Sequence, residues 1–122
     1  MNFFKKLFSK SNYKHPEDDY KVTITEEYVI VEHPKLEIQQ VFWTNIKLIK
    51  LINTDQGPLL PDIWLTLIAE NETCSIPHGA EGYDEVLEIV SKYQDFNFEN
   101  VINSMTCTDN VEFILWEKSK LQ

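Results

Sequence analysis

The sequence predicts an α+β fold: a mainly antiparallel sheet of about six or seven strands with two helices near the C-terminal end. Three observations predict it. Short β-prone runs punctuated by Pro, Gly, Asn and Asp recur from Val22 to Trp116. Clear helical spacing in the body is confined to residues 83–93 and 98–105. The strand-like runs follow one another through short turns instead of alternating with helices, which favours antiparallel pairing.

The chain opens on a basic arm. Phe3, Phe4, Leu7 and Phe8 share one helical face, with Lys5, Lys6 and Lys10 beside or opposite it. The lysines interrupt any apolar core and no small-residue cleavage site follows, so it is a poor signal peptide. Two readings stay open: contact with an anionic membrane surface or a partner, or packing on this domain or a neighbour. Residues 9–19 read as a linker. Residues 1–19 are therefore expected to be arm and linker, and 20–122 one α+β domain. The core pattern begins at Val22, so the arm is expected to be dispensable for stability.

In the body, Val22 and Ile24 alternate with Thr23 and Thr25, as in a half-buried strand. Tyr28–Glu32 is its expected hairpin partner across Glu26-Glu27. His33-Pro34 ends that strand, and Leu36–Val41 begins another. Residues 41–53 carry mixed signals. Phe42, Ile46 and Ile49 have helical spacing, yet 46–52 is rich in isoleucine and stops at Asn53-Thr54-Asp55. A turn near Trp43-Thr44-Asn45 and a strand at 46–53 are expected. The loop from Gln56 through Asp62 holds two prolines and is expected to be irregular.

Ile63–Ile68 is nearly continuously apolar, as a central strand requires. Asn71-Glu72 is a turn, Thr73–Ile76 the next strand, and Pro77-His78-Gly79 its end. Tyr83, Val86, Leu87, Val90 and Tyr93 then mark a helix, with Asp84 and Glu85 in the first turn where the helix dipole favours acids. Asn97 is placed to cap a second helix, whose Phe98, Val101, Ile102 and Met105 repeat the spacing. Val111–Trp116 is the last strand. A strongly bent sheet closed by a helix, as in a pleckstrin-homology-type roll, satisfies this order. So does a flatter sheet with both helices on one face.

A chain of 122 residues with 43% hydrophobic and 25% charged content suits one ordinary core. No apolar run nears the ~20 residues of a membrane-spanning helix. Net charge is −9, and its distribution is uneven. Residues 1–14 hold four lysines and no acid, leaving seven lysines against all 20 acids, a balance of −13. There is no arginine. An acidic, arginine-free body is ill suited to nucleic acid, where phosphate neutralisation drives binding. It is suited to a cationic protein partner. Cys74 and Cys107 lack metal-ligand spacing, and reduced thiols in a cytoplasmic protein are expected.

The chemistry-bearing residues form no recognisable catalytic set. His78 in the Pro-His-Gly turn is the best-placed catalytic candidate, with Glu81 and Cys74 near in sequence. A nucleophile needs a base within reach and a third group to orient that base, and nothing here fixes a triad. Asp55 and Asp62 flank the Gly57-Pro58 loop, where carboxylates usually cap turns. Three scattered histidines give no metal motif, and no phosphate-cradling glycine loop exists, so no cofactor is expected. Trp43, Trp64 and Trp116 are expected in the core. An exposed tryptophan beside the 55–62 loop would instead anchor a partner.

Trp43-x-x-Ile46, Thr54-Asp55-x-Gly57-Pro58, Asp62-x-Trp64, Ile76-Pro77-x-Gly79-Ala80, Phe98-x-x-Val101 with Met105, and Phe113-x-x-Trp116 occur in that order over residues 43–116. This run resembles a family of small bacterial proteins of uncharacterised function. The resemblance implies a compact domain and no established activity. In size and charge alone the chain is also similar to immunity proteins of bacterial toxin systems.

The reading that follows is a non-enzymatic protein-binding domain, immunity-like in its sharpest form. Asp55, Asp62, Trp64, His78 and Glu81 are its candidate contacts with a cationic protein. The alternative is a peripheral membrane or assembly adaptor, tethered through Phe3, Phe4, Lys5, Lys6, Leu7, Phe8 and Lys10. The expected location is the cytoplasm, with the arm allowing contact at the inner membrane face.

Overall fold

A computed structural model describes residues 16–55 and 62–118. The basic arm (Phe3, Phe4, Lys5, Lys6, Leu7, Phe8, Lys10) and residues 56–61 of the loop expected to be irregular lie outside the described residues. Within them, seven strands form two antiparallel sheets, with two α-helices in the C-terminal half. The α+β expectation is met.

The first sheet has the order β1-β2-β3: β1 (Lys21–Ile24), β2 (Tyr28–His33) and β3 (Leu36–Phe42). The Thr25 hydroxyl builds the first turn by accepting from the N–H of Glu27 at 3.2 Å and of Tyr28 at 3.0 Å. The second turn, at Pro34-Lys35, is closed by the Lys35 N–H donating to His33 Nδ1 at 3.1 Å. A single 3-10 turn at Trp43–Asn45 then redirects the chain, where the sequence expected a turn. The Trp43 indole N–H donates to the Thr25 carbonyl at 2.8 Å, which fastens this corner to the end of β1.

The second sheet has the order β6-β5-β4-β7: β4 (Leu48–Asn53), β5 (Ile63–Ile68), β6 (Thr73–Pro77) and β7 (Val111–Glu117). Its inner face carries Ile49, Leu51, Leu65, Leu67, Cys74 and Ile76, all buried. Facing them from the first sheet are Val29, Val31 and Val41, in the same core cluster. Full burial of each such side chain stabilises by roughly 1.5–3 kcal/mol. A register shift opposite Ile49/Lys50 leaves Leu115 as an extra residue in β7, and it turns into the core.

Helix α1 (Tyr83–Val90) buries Tyr83, Val86 and Val90, the face its spacing predicts. It ends earlier than residue 93, because 91–95 fold into turns with Asp95 in the left-handed region at φ 68°. Gly82 begins α1 at φ +98°, and a Cβ there would stand 2.9 Å from Val22 Cβ. Only glycine permits both that backbone and that approach.

Helix α2 (Phe98–Met105) starts as predicted, with the Asn97 side chain accepting from the Asn100 N–H at 3.0 Å. Its orientation departs from what an apolar stripe normally does. Ser104 is the buried residue of this helix, while Phe98, Ile102 and Met105 point outward. Buried hydrogen bonds, described next, fix that choice. The three tryptophans are half-buried rather than interior. Trp43 and Trp116 pack against the core margin, and Trp64 lies on the opposite sheet face against Tyr20.

Among the described residues, no helix is long and apolar enough to cross a membrane.

Candidate functional site

The site begins with a polar residue at an inward position. Asn53 continues the Ile49, Leu51 alternation of β4, so its side chain must enter the core region. A buried amide costs free energy unless its groups are paired. Asn53 Nδ2 donates to the Ser104 carbonyl at 2.9 Å and to the Cys107 carbonyl at 3.2 Å. The Ser104 hydroxyl donates to Asn53 Oδ1 at 2.6 Å. The last turn of α2 is thereby bolted to the end of β4. Asn100 Nδ2 adds a bond to the Ile114 carbonyl at 2.8 Å, on β7. Together these bonds turn the polar side of α2 inward and its apolar side to water.

The same end of the sheet carries the predicted aspartates. The Thr54 N–H donates to the Asp62 carbonyl at 2.7 Å, which closes the neck of the loop between them. The Asp55 N–H donates to Asn110 Oδ1 at 2.6 Å, joining this neck to the start of β7. A cleft of about 420 Å³ lies here, lined by Asn53, Asp55, Asp62, Ile63, Met105 and Cys107, among others. Asp55 and Asp62 are therefore brought together, as two exposed carboxylates at the mouth of one cleft.

The other sequence candidates do not join them. Trp64 pairs with Pro77 in the sheet, and its ring meets Tyr20 edge-on at 5.6 Å. The His78 N–H donates to the Ile63 carbonyl at 2.8 Å, yet its exposed ring packs on Tyr83, 5.1 Å between centroids. Glu81 is exposed in the turn before α1. None of the three lines the cleft.

Sequence reasoning missed Asn53, Met105 and Cys107. The signal for Asn53 was present, a polar residue in phase with core isoleucine and leucine. Met105 and Cys107 reach the cleft only through the orientation of α2, which no local pattern specifies.

Charge completes the picture. From Leu51 to Glu117 the chain holds 13 acids and one lysine, Lys92. Glu99 sits in the first turn of α2, and Asp109 follows it, exposed. Acids thus stand at both ends of the apolar stripe of α2.

The thiols differ. Cys74 is fully buried, its Sγ 3.8 Å from the Val29 carbonyl. Burial, with a smaller contribution from the Glu72 charge, pushes its pKa up to about 12. Its Sγ meets the Val29 carbonyl while the His78 ring packs on Tyr83, so the two are not arranged as a nucleophile–base pair. Cys107 is half-exposed at the cleft, and both thiols are free. Among the described residues, no three His, Cys, Asp or Glu groups converge as metal ligands.

Two further clefts carry none of the predicted residues. One, of about 410 Å³, lies at the opposite end of the sheet between Lys47, Glu70 and Lys118. The other, of about 610 Å³, runs along β3 beside the exposed Leu36 and Ile38.

Comparison with protein families, curated proteins and solved structures returned no match. The functional reading rests on this geometry.

Proposed function

We propose that the protein is a non-enzymatic protein-binding domain that takes a cationic partner on α2 and the Asp55–Asp62 cleft. One observation carries the reading: Phe98, Ile102 and Met105 stand 60%, 63% and 69% exposed along a single helical stripe. Large side chains left in water on one helix face mark interaction surfaces, because exposing them forgoes burial. Phe98 is steadied by Phe96, with ring centroids 4.9 Å apart. A rigid aromatic on such a stripe is the usual centre of binding energy. The acids around the stripe favour a partner rich in lysine or arginine and speed its approach.

An immunity-like role, occupying a basic groove of a toxin, is the sharpest form of this proposal. The likeness of residues 43–116 to small bacterial proteins, the pleckstrin-homology-type roll and a cytoplasmic location belong to the same proposal. The adaptor reading is its competitor.

The test starts with a partner captured from the host, identified, purified and titrated against the protein. Ile102→Asp should weaken binding by about 30-fold or more, the scale of a hot-spot loss. Asp55→Asn with Asp62→Asn should slow association at low salt and flatten its salt dependence. A partner that binds all three proteins with equal rates and affinity sinks the proposed face.

A further inference from the structure

We infer that the partner of this site is a basic amphipathic helix, seated along α2 with its lysine or arginine end over the Asp55–Asp62 cleft. The inference rests on the protein-binding reading of the site and adds to it the partner's secondary structure and the order of its residues. The exposed apolar residues of α2 are Phe98, Ile102 and Met105. At 3.6 residues per turn they fall within about 60° of one another around the helix. A helix face made for a globular core is broader, at about 100° or more. Apolar positions at alternating steps of four and three residues form the narrow seam of helix-on-helix packing. Val101, beside that seam, turns back to the core.

The form of the occupant follows from α2 itself. Its backbone groups bond along the helix, and the Asn97 side chain accepts from the Asn100 N–H at its start. This face therefore offers no strand edge to an extended segment, and contact runs through side chains. From Phe98 to Met105 the seam is about 10.5 Å long, with Ile102 about 6 Å along it. A partner helix repeats its own apolar residues at the same steps. A strand places side chains on one face every ~6.7 Å, so its third one overshoots Met105 by about 3 Å.

Charge sets the polarity of that helix. α2 holds one acid, Glu99, and no base. Met105 is both the end of the seam and part of the cleft wall. Asn53 holds that end in place through the Ser104 and Cys107 carbonyls. Asp55 and Asp62 stand exposed at the same cleft. Among the described residues, neither carboxylate has an ion-pair partner. A helix that runs past Met105 by one or two turns brings its lysine or arginine onto these carboxylates. Its sequence therefore carries apolar residues at steps of four and three, with basic residues one or two turns beyond them. A second copy of this chain does not fit. Two copies packed through α2 bring acids together in either direction, Glu99 to the other's cleft when antiparallel and cleft to cleft when parallel. Each also carries a net charge of −9.

The test uses the full chain, with labelled isoleucine and methionine methyls, and three capped peptides of about 20 residues. The first is helical, with a leucine seam and lysines one or two turns beyond it. The second carries a proline in the middle of the seam at the same charge. The third has glutamate for lysine. The first should move the Ile102 and Met105 methyls saturably and leave Ile38 on β3 unmoved. Ile102→Asp should weaken its binding by about 30-fold. Asp55→Asn with Asp62→Asn should weaken it by about 5-fold or more at low salt. The proline and glutamate peptides should each bind at least about 10-fold more weakly. A proline peptide that binds the Ile102 face as tightly as the helical one overturns the helix and leaves the protein-binding face standing. A helical peptide bound equally by wild type, by Ile102→Asp and by the double aspartate variant overturns the face, and the proposed function with it. Methyls unmoved by the helical peptide, or moved equally by the glutamate one, overturn the inference. So does a wild-type spectrum that changes on dilution, which assigns the seam to a second copy.

Discussion

Removing the Asn53–Ser104 junction is the sharpest available perturbation, because three short bonds and two nearly inaccessible residues fix its cost. Asn53 is 4% exposed and Ser104 0%. Ser104→Ala deletes the hydroxyl and leaves Asn53 Oδ1 buried without a donor, which costs about 1–3 kcal/mol. Asn53→Ala strands the Ser104 and Cys107 carbonyls and the Ser104 hydroxyl, and adds a small void. Its cost is about 3–5 kcal/mol. Against a total stability of about 5–15 kcal/mol, that is a large fraction. At about 4 °C per kcal/mol for a chain of this size, Ser104→Ala should melt roughly 4–12 °C lower and Asn53→Ala at least about 12 °C lower. Thermal unfolding followed by circular dichroism measures both. The double variant should cost less than the two singles summed, with a coupling of about 1–2 kcal/mol. A loss under about 1 kcal/mol for Asn53→Ala, or zero coupling, would refute the claim that these bonds orient α2.

Other outcomes follow from the same geometry. Gly82→Ala forces a side chain into φ +98° and into Val22, so it should destabilise by about 2 kcal/mol or more in a urea titration. If it is neutral, the turn before α1 is not as described. Ile102→Asp should change stability by no more than about 0.5 kcal/mol, since the position is already in water. A larger loss would place Ile102 in a packed contact. A thiol reagent at mildly alkaline pH should modify Cys107 quickly and leave Cys74 untouched until the protein unfolds; equal rates would contradict the burial of Cys74. Burial holds Cys74 at about 12 against 9.0, and Tyr83 at about 12 against 10.0. The unfolded chain therefore releases these protons first. Their contribution is intact below pH 9 and is lost as pH rises from 9 toward 12. A melting temperature that holds steady across that window would contradict the shifts.

The strands were readable because their signals are local. Alternation at Val22–Ile24, the continuous apolar run at Ile63–Ile68 and the turn chemistry at Asn71-Glu72 each act within a few residues. The helix at 83–90 was readable down to its buried face, since spacing and packing agree there. At 98–105 they diverge. The spacing of Phe98, Ile102 and Met105 is helical, but two partners distant in sequence, the Asn53 side chain and the Ile114 carbonyl that accepts from Asn100, decide which side faces in. The candidate site was half legible. Asp55 and Asp62 meet because they close one loop neck, whereas Trp64, His78 and Glu81 sit near it in sequence and turn elsewhere. Strand alternation sends Trp64 to the outer face, and Tyr83 claims the His78 ring.

The bond from Asn100 to the Ile114 carbonyl has a consequence for assembly. β7 is one of the two border strands of its sheet, and borders invite further strands to add. Two of its carbonyls are occupied from the side, Leu115 by the Asn97 N–H at 2.7 Å and Ile114 by the Asn100 amide. Both donors belong to the start of α2, so that helix is also a stopper on the sheet. A ligand that pulled α2 away would uncork a strand edge and set polymerisation in competition with recognition. The binding face and the guard against fibre growth are one element, and we expect Asn100→Ala to shorten the lag of thioflavin-positive aggregation at elevated temperature. An unchanged lag would show that the edge is protected by other means.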